Sequence, residues 1–394
     1  MRGGKYMIQQ ERKMLEDILN YKIPSIKKDV HFWMVRTQGG AFYDEFLTKN
    51  YVAFGWNYID KSTNLNNELL PDEIKEQYNI SQAKRAINKC NMFMNVIQPN
   101  DVILIPNKGL EEIIIAIAKE YYEEPEENGC TLEDEKGVLW KLKNVRGFLK
   151  EVKCPYKKRW KIDIVKTVKG NRLNYHLYKT LRNYNGIDDI DEHAAYILSL
   201  IFNTFIYDKN LYIVLNVNQE KDIGLSDLSG ILYGSSAYFS HFLNSDNVSA
   251  KVNVCSKGDI LMVLQGAFEH VQTFGPLYVK LFLTLFSGTY GIMKVKDLPD
   301  FLKEIFTIKD KCEQEKIETE LKRAELESKQ LDNEQKRLEI EKLRLANEIS
   351  KQSINGLPTE EEIGMIVKSS DPLEISVNIM EENKKEAISS IVES

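Results

Sequence analysis

The pattern of apolar and polar positions changes several times along the chain, and each change marks an element. Residues 1–28 carry an apolar stripe at helical spacing (Met7, Met14, Leu15, Ile18, Leu19) that stops at Pro24, which predicts a short amphipathic helix and a linker. From His31 the texture turns aromatic. HFWMVRTQGG reads as a strand closed by a glycine pair and YVAFGW as a second strand, with AFYDEFLTKN a short helix between them. SQAKRAINKCNMFMNVI has a helical period and leads through the turn residues QPND into the apolar strand VILIP. β-Branched residues dominate IIIAIAKEYYEE, which predicts a further strand. VLWKL and KEVKCPYKKRWKIDIV then complete a small sheet or barrel by residue 165.

A second unit begins near Asp188. DIDEHAAYILSLIFNTFIY reads as a helix with an acidic first turn, LYIVLNV as a buried strand and LSDLSGILYGSSAYFSHFL as a helix. VSAKVNVCSKGDILMVLQG fits a hairpin around Lys257-Gly258, and apolar helices follow over 265–288 and 297–309. The whole is an α+β pattern. It divides into a β-rich domain over 29–168, an α+β domain over 186–296, a long charged helix over 297–355 and an acidic tail over 356–394. In the long helix Ile317, Ala324, Leu331, Leu338 and Leu345 recur at every seventh position. The companion position reads Leu321, Ser328, Gln335, Lys342, Ile349, mostly polar, whereas a strong dimeric seam needs both positions apolar. Two readings stand: a solvated helix, or a coiled coil that makes a homo-oligomer.

Composition narrows the class. With 43% hydrophobic and 28% charged residues the chain has a globular profile, not a disordered one. The most apolar run, Gly275–Met293, contains Lys280, and the N-terminus lacks the apolar core of a secretory signal, so neither a membrane partner nor export is expected. The cysteines (Cys90, Cys130, Cys154, Cys255, Cys312) are odd in number and form no CxxC pair, which argues against a disulfide framework and a structural zinc and for a reducing cytoplasm. Charge is unevenly spread. Lys141–Arg182 holds 14 basic residues against two acidic ones, directly after Leu110–Lys136 with ten acidic residues against two lysines. Such neighbouring blocks either pair with each other or face different partners.

Three sets of residues are candidates for chemistry. The basic block interleaves its cations with Trp140, Phe148, Tyr156, Trp160, Tyr175 and Tyr178, a composition suited to phosphate contacts and base stacking. Lys150, Lys153, Lys157, Lys158, Arg159 and Lys161 are its expected phosphate-binding residues, unless the block only neutralises the acidic one. The first aromatic segment brings Phe32, Trp33, Phe42, Tyr43, Phe54 and Trp56 together with Arg36 and the Gly39-Gly40 pair; glycines beside aromatic rings let a backbone approach a flat ligand, and Arg36 can donate to its edge. A metal-dependent nuclease is the alternative, with Asp134 and Glu151 as metal-holding carboxylates and Lys153 steadying the anion in a Glu-x-Lys strand. The histidines are scattered without metal-ligand spacing, and Asp188, Asp189, Asp191 and Glu192 fit a helix cap better than a cation site, so no metal or cofactor is expected.

FWMVRTQGGAFYDEFLTKNYVAFGW resembles the N-terminal PUA/EVE-like domain of bacterial restriction-endonuclease-like (Mrr-type) and phage-defence proteins, in which a W-x-V-R-x-G-G strand leads through a helix to a V-A-x-G-W strand. DVILIP stands where that family has its G-D-x-V strand, with Asn100 in the place of the usual glycine. The resemblance covers residues 31–165 and implies a compact β-barrel that reads modified or flipped bases near Trp33, Arg36, Gly39, Gly40, Gly55 and Trp56. Where restriction-type relatives carry a nuclease domain, this chain has its α+β unit and charged helix. The expectation is therefore a non-catalytic nucleic-acid sensor of DNA or RNA, in an antiviral defence setting, coupled to a separate effector protein or to self-assembly. A protein-interaction module that binds no nucleic acid is the other alternative.

Overall fold

Six strands form one curled, half-barrel sheet: β1 (Phe32–Val35), β2 (Tyr51–Phe54), β3 (Val102–Pro106), β4 (Glu112–Glu123), β5 (Lys158–Lys169) and β6 (Ile187–Asp189), in the order β2-β5-β4-β3-β1-β6. The structure is a computed structural model of the chain, and it describes residues 22–145, 152–182, 186–219, 222–240, 247–253, 258–266, 279–280, 282–283, 285–286, 360–373, 375–376 and 388–393. The fold is mixed α+β, in two units. One centres on Pro24–Asp208, the other on Leu215–Val377.

In the first unit β1 runs parallel to β3, and every other neighbouring pair is antiparallel. A parallel pair needs a crossover. The crossover here carries α1 (Tyr43–Lys49), α2 (Leu70–Tyr78) and α3 (Ala83–Asn91), the last extended by a π-turn over Met92–Val96. Asp44 and Glu45 favour the start of α1 and Lys49 its end, and Asn50 and Asn79 close α1 and α2 in the left-handed conformation. Strands β4 and β5 slip register at Ile115/Ala116 and at Ala118/Tyr121; such bulges strengthen the twist that curls a sheet. Trp33, Val35, Phe42, Phe46, Phe54, Ile103, Ile114 and Trp160 belong to the core beneath it.

The segment VLWKL is not a strand. It lies in α4 (Leu132–Asn144), which starts with a reciprocal capping box: the Thr131 hydroxyl accepts from the Asp134 N–H, and Asp134 accepts from the Thr131 N–H. The helix expected over 189–207 is also shorter. After α5 (Tyr175–Leu181), a 3-10 turn over Asp191–His193 leads into α6 (Ala194–Ile201), and the aromatic, β-branched Thr204–Tyr207 forms β7. The first unit therefore runs past residue 168 to Asp208. It also takes in the end of the chain: the Glu393 N–H donates to the Ser25 carbonyl at 2.6 Å and the Lys27 N–H to Ile391 at 3.1 Å.

A second sheet contains β8 (Asn210–Val217), β9 (Val248–Asn253), β10 (Gly258–Leu264) and β11 (Ile375–Ser376), ordered β11-β8-β10-β9. The expected hairpin over 248–266 is the antiparallel β9–β10 pair. Helix α7 (Leu225–Ser240) packs on α8 (Glu360–Leu373), with Gly230 against Ser369 and Gly234 against Ile366. The expected long helix over 297–355, with its heptad positions, and most of the helix over 265–288 lie outside the described residues. No described helix is long and apolar enough to cross a membrane.

Candidate functional site

A cleft of about 760 Å³ opens between the end of β2, the α2–α3 connection and α4. Its aromatic lining is Phe54, Trp56, Tyr78 and Tyr156, and its cations are Arg36, Arg85 and Lys89. Gln38, Asn79, Ser81 and Gln82 add neutral polar groups, and Glu135 is the single carboxylate of the lining.

Trp56 sits at φ 69°, a left-handed conformation uncommon for a bulky residue and one that persists only where its surroundings enforce it. Those surroundings are specific. The Trp56 N–H donates to Glu135 Oε1 at 2.6 Å, and its carbonyl accepts from Lys158 Nζ at 2.8 Å and from the Ile59 N–H at 2.8 Å. The indole meets the Tyr78 ring edge-on at 4.7 Å between centroids. Glu135, 1% exposed, also accepts from the Asn57 N–H at 2.7 Å and the Tyr78 hydroxyl at 2.8 Å. Gly55 leaves room for this carboxylate: a Cβ there would stand 2.7 Å from Glu135 Oε1 and 2.9 Å from the Tyr156 ring.

Asn57 completes the support. Its amide donates to the carbonyls of Cys130, Thr131 and Pro155 at 3.0, 3.1 and 2.7 Å, and its Oδ1 accepts from the Lys157 N–H at 3.0 Å. On the cleft wall the Tyr156 hydroxyl donates to Gln38 Oε1 at 3.3 Å, and Arg36 donates to the Leu181 carbonyl. Burial pushes the Tyr156 and Tyr78 phenols well above their ordinary value, so both stay protonated as donors. Burial also pulls the Lys89 ammonium below its ordinary value, against the pull of Asp188.

Of the six residues expected to hold a base, Arg36, Gly55 and Trp56 border the cleft. Trp33 does not. It is 3% exposed and its Nε1 donates to buried Asp101 at 2.8 Å, a core role that fixes β1 beside β3. Gly39 and Gly40, at φ 67° and 93°, form the turn beside Gln38 and stand outside the lining. The sequence reading missed Tyr78, Arg85, Lys89 and Glu135. They sit on helices remote in sequence, and no local motif ties them to Trp56.

The phosphate-binding expectation needs correction for Lys158 and Arg159. Lys158 is fully buried, donating to the carbonyls of Trp56 and of Ile59, the latter at 2.6 Å, and burial lowers its pKa. Arg159, 5% exposed, stacks 4.5 Å over Tyr51 and pairs with Glu124 at 3.0 Å. Both occupy β5 where it lies between β2 and β4, covered on both faces. Lys157 pairs with Asp60 at 3.1 Å and Glu126 at 3.7 Å, Lys161 with Glu120 at 2.8 Å, and Lys153 donates to the Asn128 carbonyl at 2.7 Å. Three cations of the basic block, Lys157, Arg159 and Lys161, thus pair with carboxylates of the acidic one. Lys150 lies outside the described residues.

The nuclease constellation is not assembled by what the structure describes. Asp134 is held in the α4 capping box, Lys153 precedes β5 in irregular chain instead of standing on a strand, and Glu151 lies outside the described residues. The acidic run Asp188–Glu192 does not cap α6 either. Asp191 instead accepts from the Phe32 N–H at 2.6 Å and bonds His31 Nδ1 at 2.6 Å, tying β1 to the turn after β6.

No curated protein and no solved structure matches this chain. A family model described as a domain of unknown function (DUF8426) matches residues 33–153, the stretch from β1 through α4 that supplies the cleft with all of its lining except Tyr156 and Gly186.

Proposed function

We propose that the first unit reads a nucleobase, and that the protein is a non-catalytic nucleic-acid sensor whose second unit and C-terminal region couple recognition to self-assembly or to a separate effector. The observation that carries this reading is the enforced left-handed Trp56, which presents an indole beside Tyr78 in a cleft bordered by Arg36, Arg85 and Lys89. Aromatic faces accept any base by stacking, and cations draw the polyanion to the cleft mouth. The resemblance to PUA/EVE-like domains supports the same reading, and Asn100, at φ 78°, adopts a backbone suited to the glycine it replaces. The antiviral-defence setting and the cytoplasmic location rest on that resemblance and on the composition.

Anisotropy titrations of labelled single- and double-stranded DNA and RNA at two salt concentrations test it, with the probe checked afterwards for cleavage. Binding that weakens as salt rises is expected. Trp56→Ala should weaken it by roughly five- to 150-fold, since stacking is worth about 1–3 kcal/mol per base. Intact probe is expected; magnesium-dependent cleavage would favour the nuclease built on Asp134, Glu151 and Lys153. The protein-interaction reading keeps one observation in its favour, the pairing of acids on and just after β4 with β5 bases (Lys161 with Glu120, Arg159 with Glu124). It predicts no binding at either salt concentration.

A further inference from the structure

Helix α5 turns an aromatic and cationic stripe outward. Tyr175, Tyr178, Lys179 and Arg182 recur at the i, i+3, i+4 and i+7 spacing that places residues on one helix face. Stripes at this spacing ordinarily face the core. In α5 that role belongs to Leu177 and Leu181, both fully buried on the opposite side, whereas Tyr175 is 66% exposed and Lys179 and Arg182 are exposed. The Arg182 guanidinium stands 6.0 Å from the centroid of the half-buried Tyr178 ring, so cation and ring are presented together.

The charge of this stripe is not neutralised by the acidic block. Lys157, Arg159 and Lys161 pair with carboxylates, but Lys179 and Arg182 have no ion pair among the described residues, and residues 164–187 include no Asp or Glu. Glu192 is engaged by His193 Nε2 at 3.2 Å, beside Thr180 and outside the stripe. The helix dipole favours cations in a last turn, but it does not call for an exposed tyrosine with them. The end of α5 also adjoins the cleft: Arg36, of its lining, donates to the Leu181 carbonyl, and Gly186 belongs to the lining itself.

We infer that the outward face of α5 binds a single strand of nucleic acid, with Lys179 and Arg182 on its phosphates and Tyr175 stacked on a base next to the one held in the cleft. The inference rests on the base-reading function for the course of that strand. From Tyr175 to Arg182 the helical rise is about 10 Å, room for roughly three stacked nucleotides. Cations and an exposed ring together suit a single strand, whose bases are free to stack on the protein.

The test uses the full-length chain and labelled single-stranded and duplex DNA and RNA, titrated by anisotropy over a salt series. The variants are Lys179→Gln/Arg182→Gln, Tyr175→Ala and Tyr175→Phe, with Trp56→Ala for the cleft. Lys22→Gln/Lys28→Gln removes the same charge from exposed positions elsewhere, and unchanged urea midpoints verify each fold. Loss of two phosphate contacts should lower the slope of log affinity against log salt by about 1.4 in Lys179→Gln/Arg182→Gln and leave it unchanged in the control. Tyr175→Ala should weaken single-strand binding by roughly five- to 150-fold, and Tyr175→Phe should keep it. Single-strand binding that falls in Trp56→Ala but in none of the α5 variants overturns the inference and leaves base reading standing. Sensitivity to only one of the charges and Tyr175, or duplexes bound as tightly as single strands, also overturns it. Binding that falls in the α5 variants but not in Trp56→Ala overturns base reading alone, and binding of no probe overturns both.

Discussion

Glu135 and Lys158 grip opposite ends of one residue. The carboxylate takes the Trp56 N–H at 2.6 Å and the ammonium takes its carbonyl at 2.8 Å, and both side chains are buried. A lysine and a glutamate out of water are costly unless each is well bonded. Here their bonding groups are spent on the backbone that holds the cleft's indole in place.

Removing either grip should therefore harm the cleft as well as the fold. Glu135→Gln leaves one oxygen to serve the three donors of Trp56, Asn57 and Tyr78, and Lys158→Met leaves the carbonyls of Trp56 and Ile59 without their ammonium. Each buried group left unsatisfied costs roughly 1–3 kcal/mol, read as a lower urea midpoint. Because both substitutions act through Trp56, the double variant should lose less stability than the two single losses together. Additive losses would show that the two charges act independently.

Gly55→Ala probes the same locus sterically. The added methyl would press on Glu135 Oε1 and the Tyr156 ring, and overpacking of this kind costs about 1–3 kcal/mol. Ligand affinity should fall further than urea stability, because relief of the clash moves the carboxylate that positions Trp56. Unchanged affinity in a folded Gly55→Ala would mean that this carboxylate does not set the cleft geometry.

Stability should respond to pH at two places with opposite signs. The hydrogen bond to Asp191 outweighs partial burial and holds the His31 imidazole above its ordinary 6.5. Its contribution is complete below pH 6.5 and fades as pH rises through the raised value. Burial works to raise the Asp60 carboxyl, but hydrogen bonds from Ser62, Lys157 and Thr63 outweigh it and hold the group at about 2. That contribution is complete above pH 3.8 and is lost as pH falls towards about 2. Urea midpoints measured across pH should lose the upper component in His31→Gln and the lower one in Asp60→Asn.

Local pattern made the strands legible: FWMV, YVAF, VILI and the β-branched run after Glu112 all stand in the sheet. It failed where two periods compete. VLWKL reads as a strand until the Thr131–Asp134 box is recognised as the start of a helix, and TFIY reads as the tail of a helix although its residues favour a strand. Three of the six residues expected to hold a base, Arg36, Gly55 and Trp56, line the cleft, and these lie near one another in sequence. Charge misled. A run of cations on a strand says nothing of which face is covered, and pairing β5 with β4 set Arg159 against Glu124 and Lys161 against Glu120.

The second unit contains a contact that can be tested without any ligand. Gly230 and Gly234 lie four residues apart on α7, on the face that meets α8, and a Cβ at residue 234 would stand 2.7 Å from Ile366 Cγ1. Glycine at that position costs helix propensity, about 1 kcal/mol relative to alanine, so propensity alone predicts that Gly234→Ala stabilises the protein. The close approach predicts the opposite sign. Ile366 is fully buried and the α8 backbone lies 3.5 Å away, which leaves the methyl little room. Gly234→Ala should lower stability by about 1–3 kcal/mol, the cost of overpacking, and Gly234→Val by more. Gly234→Ala combined with Ile366→Ala should lose less stability than the two single losses together, because the alanine at 366 vacates the clashing atom. A rise in melting temperature for Gly234→Ala alone would show that α7 and α8 are not packed this closely in solution.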